Sequence, residues 1–122
     1  MAKSCAEFLS VLFHARTQAH IFHLQTKLYA RHKALAGFYD EVLELADTYA
    51  ETYQGKYGII KGYRAQENFE EGDDKVLPFF QTLEKYVADA AKSLPDDPDL
   101  VNLHADILQE IHHAQYKLKF LS

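Results

Sequence analysis

Six side chains in the first half of the chain have the types and spacing for metal chemistry: His20, His32, Asp40, Glu44, Asp47 and Glu51. Imidazole nitrogens together with carboxylate oxygens are a ligand set for Fe²⁺, Mn²⁺ or Zn²⁺. Asp47 and Glu51 stand four residues apart, so a helix stacks their carboxylates on one face. At about 100° per residue, His32, Asp40, Glu44, Asp47 and Glu51 fall within about 120° of one another, roughly 150° from the apolar stripe of the same segment. That acidic stripe therefore points away from the segment's own core. His20 also lies off the core face of its segment, beside Phe13 and Leu24, which are apolar and misplaced for the core. Apolar residues in such a position predict a second buried surface, a subunit interface, at which imidazoles and carboxylates converge.

The remaining histidines, of seven in 122 residues, divide differently. His14 reads as a surface residue, His23 as a packed histidine at the core edge, and His104 as an ordinary helix residue. Glu110-Ile111-His112-His113 contains the E-x-x-H spacing of di-iron bundles. A matching set on facing helices is missing: the second helix offers Glu44 and Asp47 but no E-x-x-H, and the third offers Glu84 and Asp89. Surface or interface positions are expected for His112 and His113. Cys5 reads as a small residue at a helix start, with no neighbouring base to activate it as a nucleophile.

These side chains must be positioned by helices. Apolar residues recur at three- and four-residue steps in four runs: Phe8, Leu12, Ala15, Ala19, Phe22; Leu35, Phe38, Val42, Leu45, Tyr49; Leu77, Phe80, Leu83, Val87, Ala90; and Leu100, Leu103, Ile107, Ile111, Ala114, Leu118. No Gly or Pro separates the first two runs, but their stripes are about 150° out of phase at 100° per residue, so a break near Lys27–Ala30 is needed to bring both to one core. The expectation is an all-α, antiparallel four-helix bundle with helices near 5–27, 31–54, 75–93 and 98–120. Pro78 suits the first turn of the third helix, Pro98 that of the fourth, and Asp96 or Asp97 its cap. Residues Gly55 to Asp74 form the long connection between helices two and three, with Tyr63–Phe69 as a short helix.

Composition sets the outer limits. A chain of 122 residues is read as a single domain spanning 1–122. A net charge of −5 argues against a basic nucleic-acid-binding surface. One cysteine makes no internal disulfide, and five Gly with three Pro are too few for the turns of a β-sandwich. No apolar run approaches the roughly 18 residues of a membrane span, and the first residues carry no secretory h-region. A soluble protein of a reducing compartment, the cytoplasm, is expected.

At residues 18–55 the sequence resembles a known family. Gln18-Ala19-His20, His32 twelve residues on, Gly37-Phe38, and Asp47-Thr48-Tyr49-Ala50-Glu51 are similar to the corresponding helix-A and helix-B segments of the Dps miniferritins. Helix order extends the likeness loosely over the rest of the chain. The resemblance implies a ferritin-like bundle and an iron site shared across a twofold axis. His20 and His32 would come from one subunit, Asp47 and Glu51 from its mate. Iron is the implied metal, with Mn or Zn as substitutes, and Fe(II) would be oxidised there by peroxide or dioxygen and sequestered. The implied assembly is a homo-oligomer, from a twofold dimer up to a dodecameric cage. Two positions depart from the pattern. The family's aspartate four residues after the helix-B histidine is Ala36 here, leaving the site one ligand short unless Asp40 acts through a water. The family's tryptophan is Ile21. No lysine-rich tail is present, so DNA binding is not expected. The alternatives are an intra-bundle dinuclear site at Glu110 and His113, and a non-catalytic helical interaction protein.

Overall fold

A computed structural model of the chain describes residues 4–66 and 68–121. Among the described residues there are four α-helices: α1 (Cys5–Gln25), α2 (Tyr29–Tyr57), α3 (Val76–Ala90) and α4 (Pro98–Phe120). There is no strand among the described residues. A single 3₁₀ turn, Asp73–Lys75, leads into α3. The residues of the four apolar stripes line one core, with Leu45, Leu77 and Leu103 at its edge. Phe8, Phe22, Phe38, Tyr49 and Phe80 are its largest fully enclosed side chains.

Each boundary has a local cause. Ser4 caps α1, its Oγ accepting the Glu7 N–H at 3.0 Å. Between α1 and α2, Thr26 leaves the helical region (φ −68°, ψ 146°). Its hydroxyl accepts the Leu28 N–H at 3.2 Å and donates to Asp73 Oδ2 at 3.1 Å. The break demanded by stripe phase is thus made by a threonine turn rather than by glycine or proline, and α2 begins at Tyr29. At the other end α2 runs three residues past the expected Gln54, to Tyr57, and is closed by Gly58, whose φ of 94° suits glycine.

Paired contacts give the helix directions. Phe8 meets Tyr49, His20 meets Tyr39 and His23 meets His32, so α1 and α2 are antiparallel. Val87 meets His104 while Glu84 and Phe80 meet Gln115, so α3 and α4 are antiparallel. Phe22 touches Phe79 and Glu7 accepts from Tyr86, so α1 and α3 are antiparallel. α2 packs chiefly against α1 and α4. With α1 pointing up, the order is up, down, down, up, and the crossover lies between α2 and α3.

That crossover contains no helix among its described residues from 58 to 72, against the expectation for Tyr63–Phe69 (Glu67 lies outside the described residues). It is an extended strap across α1. Ser10 Oγ accepts the Arg64 N–H at 3.0 Å. The fully enclosed Gln18 uses both ends of its carboxamide on Glu70, accepting its N–H at 2.7 Å and donating to its carbonyl at 2.8 Å. Gln25 accepts the Gly72 N–H at 3.1 Å. Backbone groups that a helix would have paired internally are paired with α1 side chains instead.

Asp97 stands at the N-cap of α4 but makes no capping bond there. Its carboxylate is spent on the Tyr57 hydroxyl (2.6 Å) and on Lys56, tying the end of α2 to the α3–α4 turn. Those two donors hold its pKa below the ordinary aspartate value. A carboxyl depressed in the folded state contributes stability that is present above its unfolded pKa and lost as pH falls through the folded one. Titrating the urea midpoint downward should therefore show a loss below the ordinary value of 3.8 that is missing from Asp97→Asn. A parallel decline in both proteins would show that the contact contributes nothing.

Candidate histidine site at the joint of helices one and two

The threonine turn fixes which residues of α1 and α2 face one another. It spans only Thr26 to Leu28, so His23, in the last turn of α1, lies against His32, in the first turn of α2. Their rings stack with centroids 3.6 Å apart and planes at 19°. The hydrogen bonds are reciprocal: His23 Nδ1 lies 2.7 Å from the His32 carbonyl oxygen, and His32 Nδ1 lies 2.8 Å from the His23 carbonyl oxygen. A carbonyl only accepts, so both Nδ1 atoms carry the proton and donate. In the neutral rings each Nε2 then holds a lone pair. This tautomer, with Nδ1–H fixed on a backbone carbonyl, is the one that metal-binding histidines commonly adopt.

His20 belongs to the same cluster. Its ring lies 5.8 Å from that of His23 and stacks on Tyr39 at 4.4 Å, while Tyr39 meets His23 edge-on at 5.4 Å. His23 thus touches both histidines singled out from the sequence. Sequence reasoning made His23 a packed residue, which it is. What it missed is that His23 sets the tautomer of His32. The signal available was the nine-residue His23–His32 spacing across a break, which becomes a contact only if the turn is short.

Asp47 and Glu51 are exposed on α2, as are Asp40 and Glu44, away from the core. Asp47 is 15 residues beyond His32 on the same helix, about 22 Å at ~1.5 Å per residue. One chain therefore does not join them to the histidines. Among the described residues no three His, Cys, Asp or Glu side chains form a group that could hold a metal ion. Leu24, beside the cluster, is 71% exposed, while Phe13 packs partly against the core.

The other singled-out residues lie elsewhere. Glu110 and His113 line a groove between α2 and α4 together with Glu41 and Asp106. Burial raises the Glu110 carboxyl above its ordinary value, aided by Glu41 and opposed by His113 and Lys117. His112 pairs with Glu84 at 3.2 Å. His104 donates to the Val87 carbonyl at 2.7 Å and packs beside Phe8. His14 is a correction: it is half-buried rather than a free surface residue, because Phe69 of the strap stacks on its ring at 4.6 Å. Cys5 is buried, and burial pushes its thiol up to about 11, so it stays protonated at neutral pH.

Fold and site together define an all-α, four-helix protein with a histidine cluster at one helix joint. The chain belongs to the family of unknown function DUF5856, whose model matches residues 23–118, a span that includes His32, Asp47 and Glu51. It is also similar to the uncharacterized 14.6 kDa protein of the mobD–ri intergenic region of Enterobacteria phage T4, with 40% identity over 52 residues. That alignment takes in 43% of this chain and 41% of the phage protein, so the chain spans about two fifths of that relative's length. No solved structure matches. No helix among the described residues is long and apolar enough to cross a membrane.

Proposed function

We propose that this protein is a ferritin-like, Dps-like bundle that binds Fe(II) between two subunits and oxidises and sequesters it. The histidine cluster carries the reading. Two imidazoles are held as the Nδ1–H tautomer with their Nε2 lone pairs uncommitted among the described residues, and a third, His20, lies beside them. The helix order supports the fold class: up, down, down, up with one long crossover is the ferritin-like variant of the four-helix bundle.

His20 and His32 would supply nitrogen ligands from one subunit. Asp47 and Glu51 of a second copy would supply oxygens, because the same helix holds them too far from the histidines. A twofold axis that lays two α2 helices antiparallel brings the acidic end of each to the histidine end of the other, making two equivalent sites. The exposed Leu24 would be covered by the same contact. Carboxylate oxygens favour the ferric product, and with Ala36 in place of a carboxylate a coordination position is left for the oxidant. Electrons pass from Fe(II) to dioxygen or peroxide.

Light scattering on the eluting protein and stopped-flow absorbance of ferric product test this together. A dimer or larger particle is expected, with Fe(II) oxidation faster than in buffer. Glu51→Ala should slow it by at least the about tenfold that losing a supporting partner of a metal ligand costs, while Glu110→Ala leaves it intact. A strict monomer, or loss of oxidation in Glu110→Ala with survival in Glu51→Ala, overturns the intersubunit site.

A further inference from the structure

The strap and α1 line a cleft between them, and the metal reading makes no use of it. Two of the strap's anchors to α1 flank this cleft: Ser10 to Arg64 and Gln18 to Glu70. Ser10 and Gln18 are eight residues apart on α1, about 12 Å at ~1.5 Å per residue. Between these anchors the described strap residues make no hydrogen bond to α1. The cleft measures about 550 Å³, within the range of about 300–1,000 Å³ that small-molecule sites occupy.

Its walls are aromatic. Phe13 and Tyr63 stand 6.0 Å apart on one side, and the stacked pair His14 and Phe69 forms the other. Burial lowers the His14 pKa, so its ring is neutral at pH 7 and presents an uncharged face. Thr17 adds a hydroxyl. Arg64 is tied to α1 through its backbone N–H, its carbonyl accepts from Gln66 Nε2 at 3.2 Å, and its guanidinium makes no ion pair or hydrogen bond among the described residues. Arg64 lines the cleft, and a guanidinium beside aromatic rings is a receptor for a flat ring bearing negative charge. The 12 Å between anchors admits one or two fused rings with an anionic group at one end.

We propose that this cleft binds a small planar anion, an aromatic ring system carrying a carboxylate or a phosphate, with the ring between Phe13, Tyr63 and His14 and the anion on Arg64. The two sources share this chemistry and are separated by two probes, 2-naphthoate and adenosine 5′-monophosphate. Each is titrated into ¹⁵N-labelled full-length protein with adenosine and inorganic phosphate as controls. Saturable shifts at residues 10–17 and 62–66, with Kd below about 1 mM, support the proposal for whichever probe gives them. Arg64→Gln is then expected to weaken that probe about tenfold or more, the ratio one charge-assisted hydrogen bond supplies, and to leave adenosine unchanged. Tyr63 is exposed, so Tyr63→Ala keeps the fold and should weaken probe and adenosine alike. No saturation by either probe, equal binding of inorganic phosphate alone, or shifts centred on the α2–α4 groove would each overturn it.

Discussion

Phe38→Ala is expected to remove about 3–5 kcal/mol of folding stability. Phe38 of α2 is fully enclosed in the core, and its ring stands edge-on to Phe80 of α3 at 4.8 Å. Truncation loses the transfer free energy of the ring and leaves a cavity that two flanking helices cannot fill without moving. Domains are stable by about 5–15 kcal/mol in total, so the variant should stand near the edge of unfolding. Urea denaturation followed by far-ultraviolet circular dichroism measures it, as a much lower midpoint at unchanged slope. Leu24→Ala is the informative contrast. That side chain is 71% exposed, and its truncation should leave the midpoint where it was while weakening the twofold contact proposed above. A small effect at Phe38 would mean that the core repacks around the gap.

Gln18→Leu should be the second largest change, about 2–3 kcal/mol. The apolar replacement fits the enclosed position, so α1 itself is little disturbed. The loss falls on Glu70, whose N–H and carbonyl both lose their partner at once. An unsatisfied polar group that remains partly buried costs about 1–3 kcal/mol, and the strap escapes that cost by lifting into water. Hydrogen exchange distinguishes this from a general weakening of the core. Protection should fall at Arg64, Glu70 and Gly72, whose amides bond to α1 side chains, while the amides of α4 keep theirs. If all helices lose protection equally, the strap is part of the cooperative core rather than a separately detachable segment.

The four helices were legible because burial follows helical periodicity, and the stripes Phe8 to Phe22 and Leu100 to Leu118 are among the most enclosed residues of the fold. The break between α1 and α2 was legible from phase alone, although its agent, the Thr26 hydroxyl, is a turn device too common to single out. Two features were not legible. The strap depends on hydrogen bonds between residues 52 and 54 positions apart, which leave no local pattern, so a short helix at Tyr63–Phe69 was the natural expectation. The same long-range packing turned His14 from a surface residue into a wall of a cleft. The reciprocal bonding of His23 and His32 depends on the length of one turn: a single added residue would rotate one ring away from the other. Gln18, in sequence a neighbour of His20 in a motif, is in the structure one of the anchors of the crossover.

The single thiol of the chain offers something different, a clock. Cys5 opens α1, is buried, and has its pKa raised to about 11. Alkylation requires a thiolate that solvent can reach, so in the native state the reaction waits for the first turn of α1 to come away. The alkylation rate of the unmodified protein therefore reports how often that end frays, with no label introduced. Any covering that a second copy or a ligand lays over the start of α1 would be read directly as a slower rate.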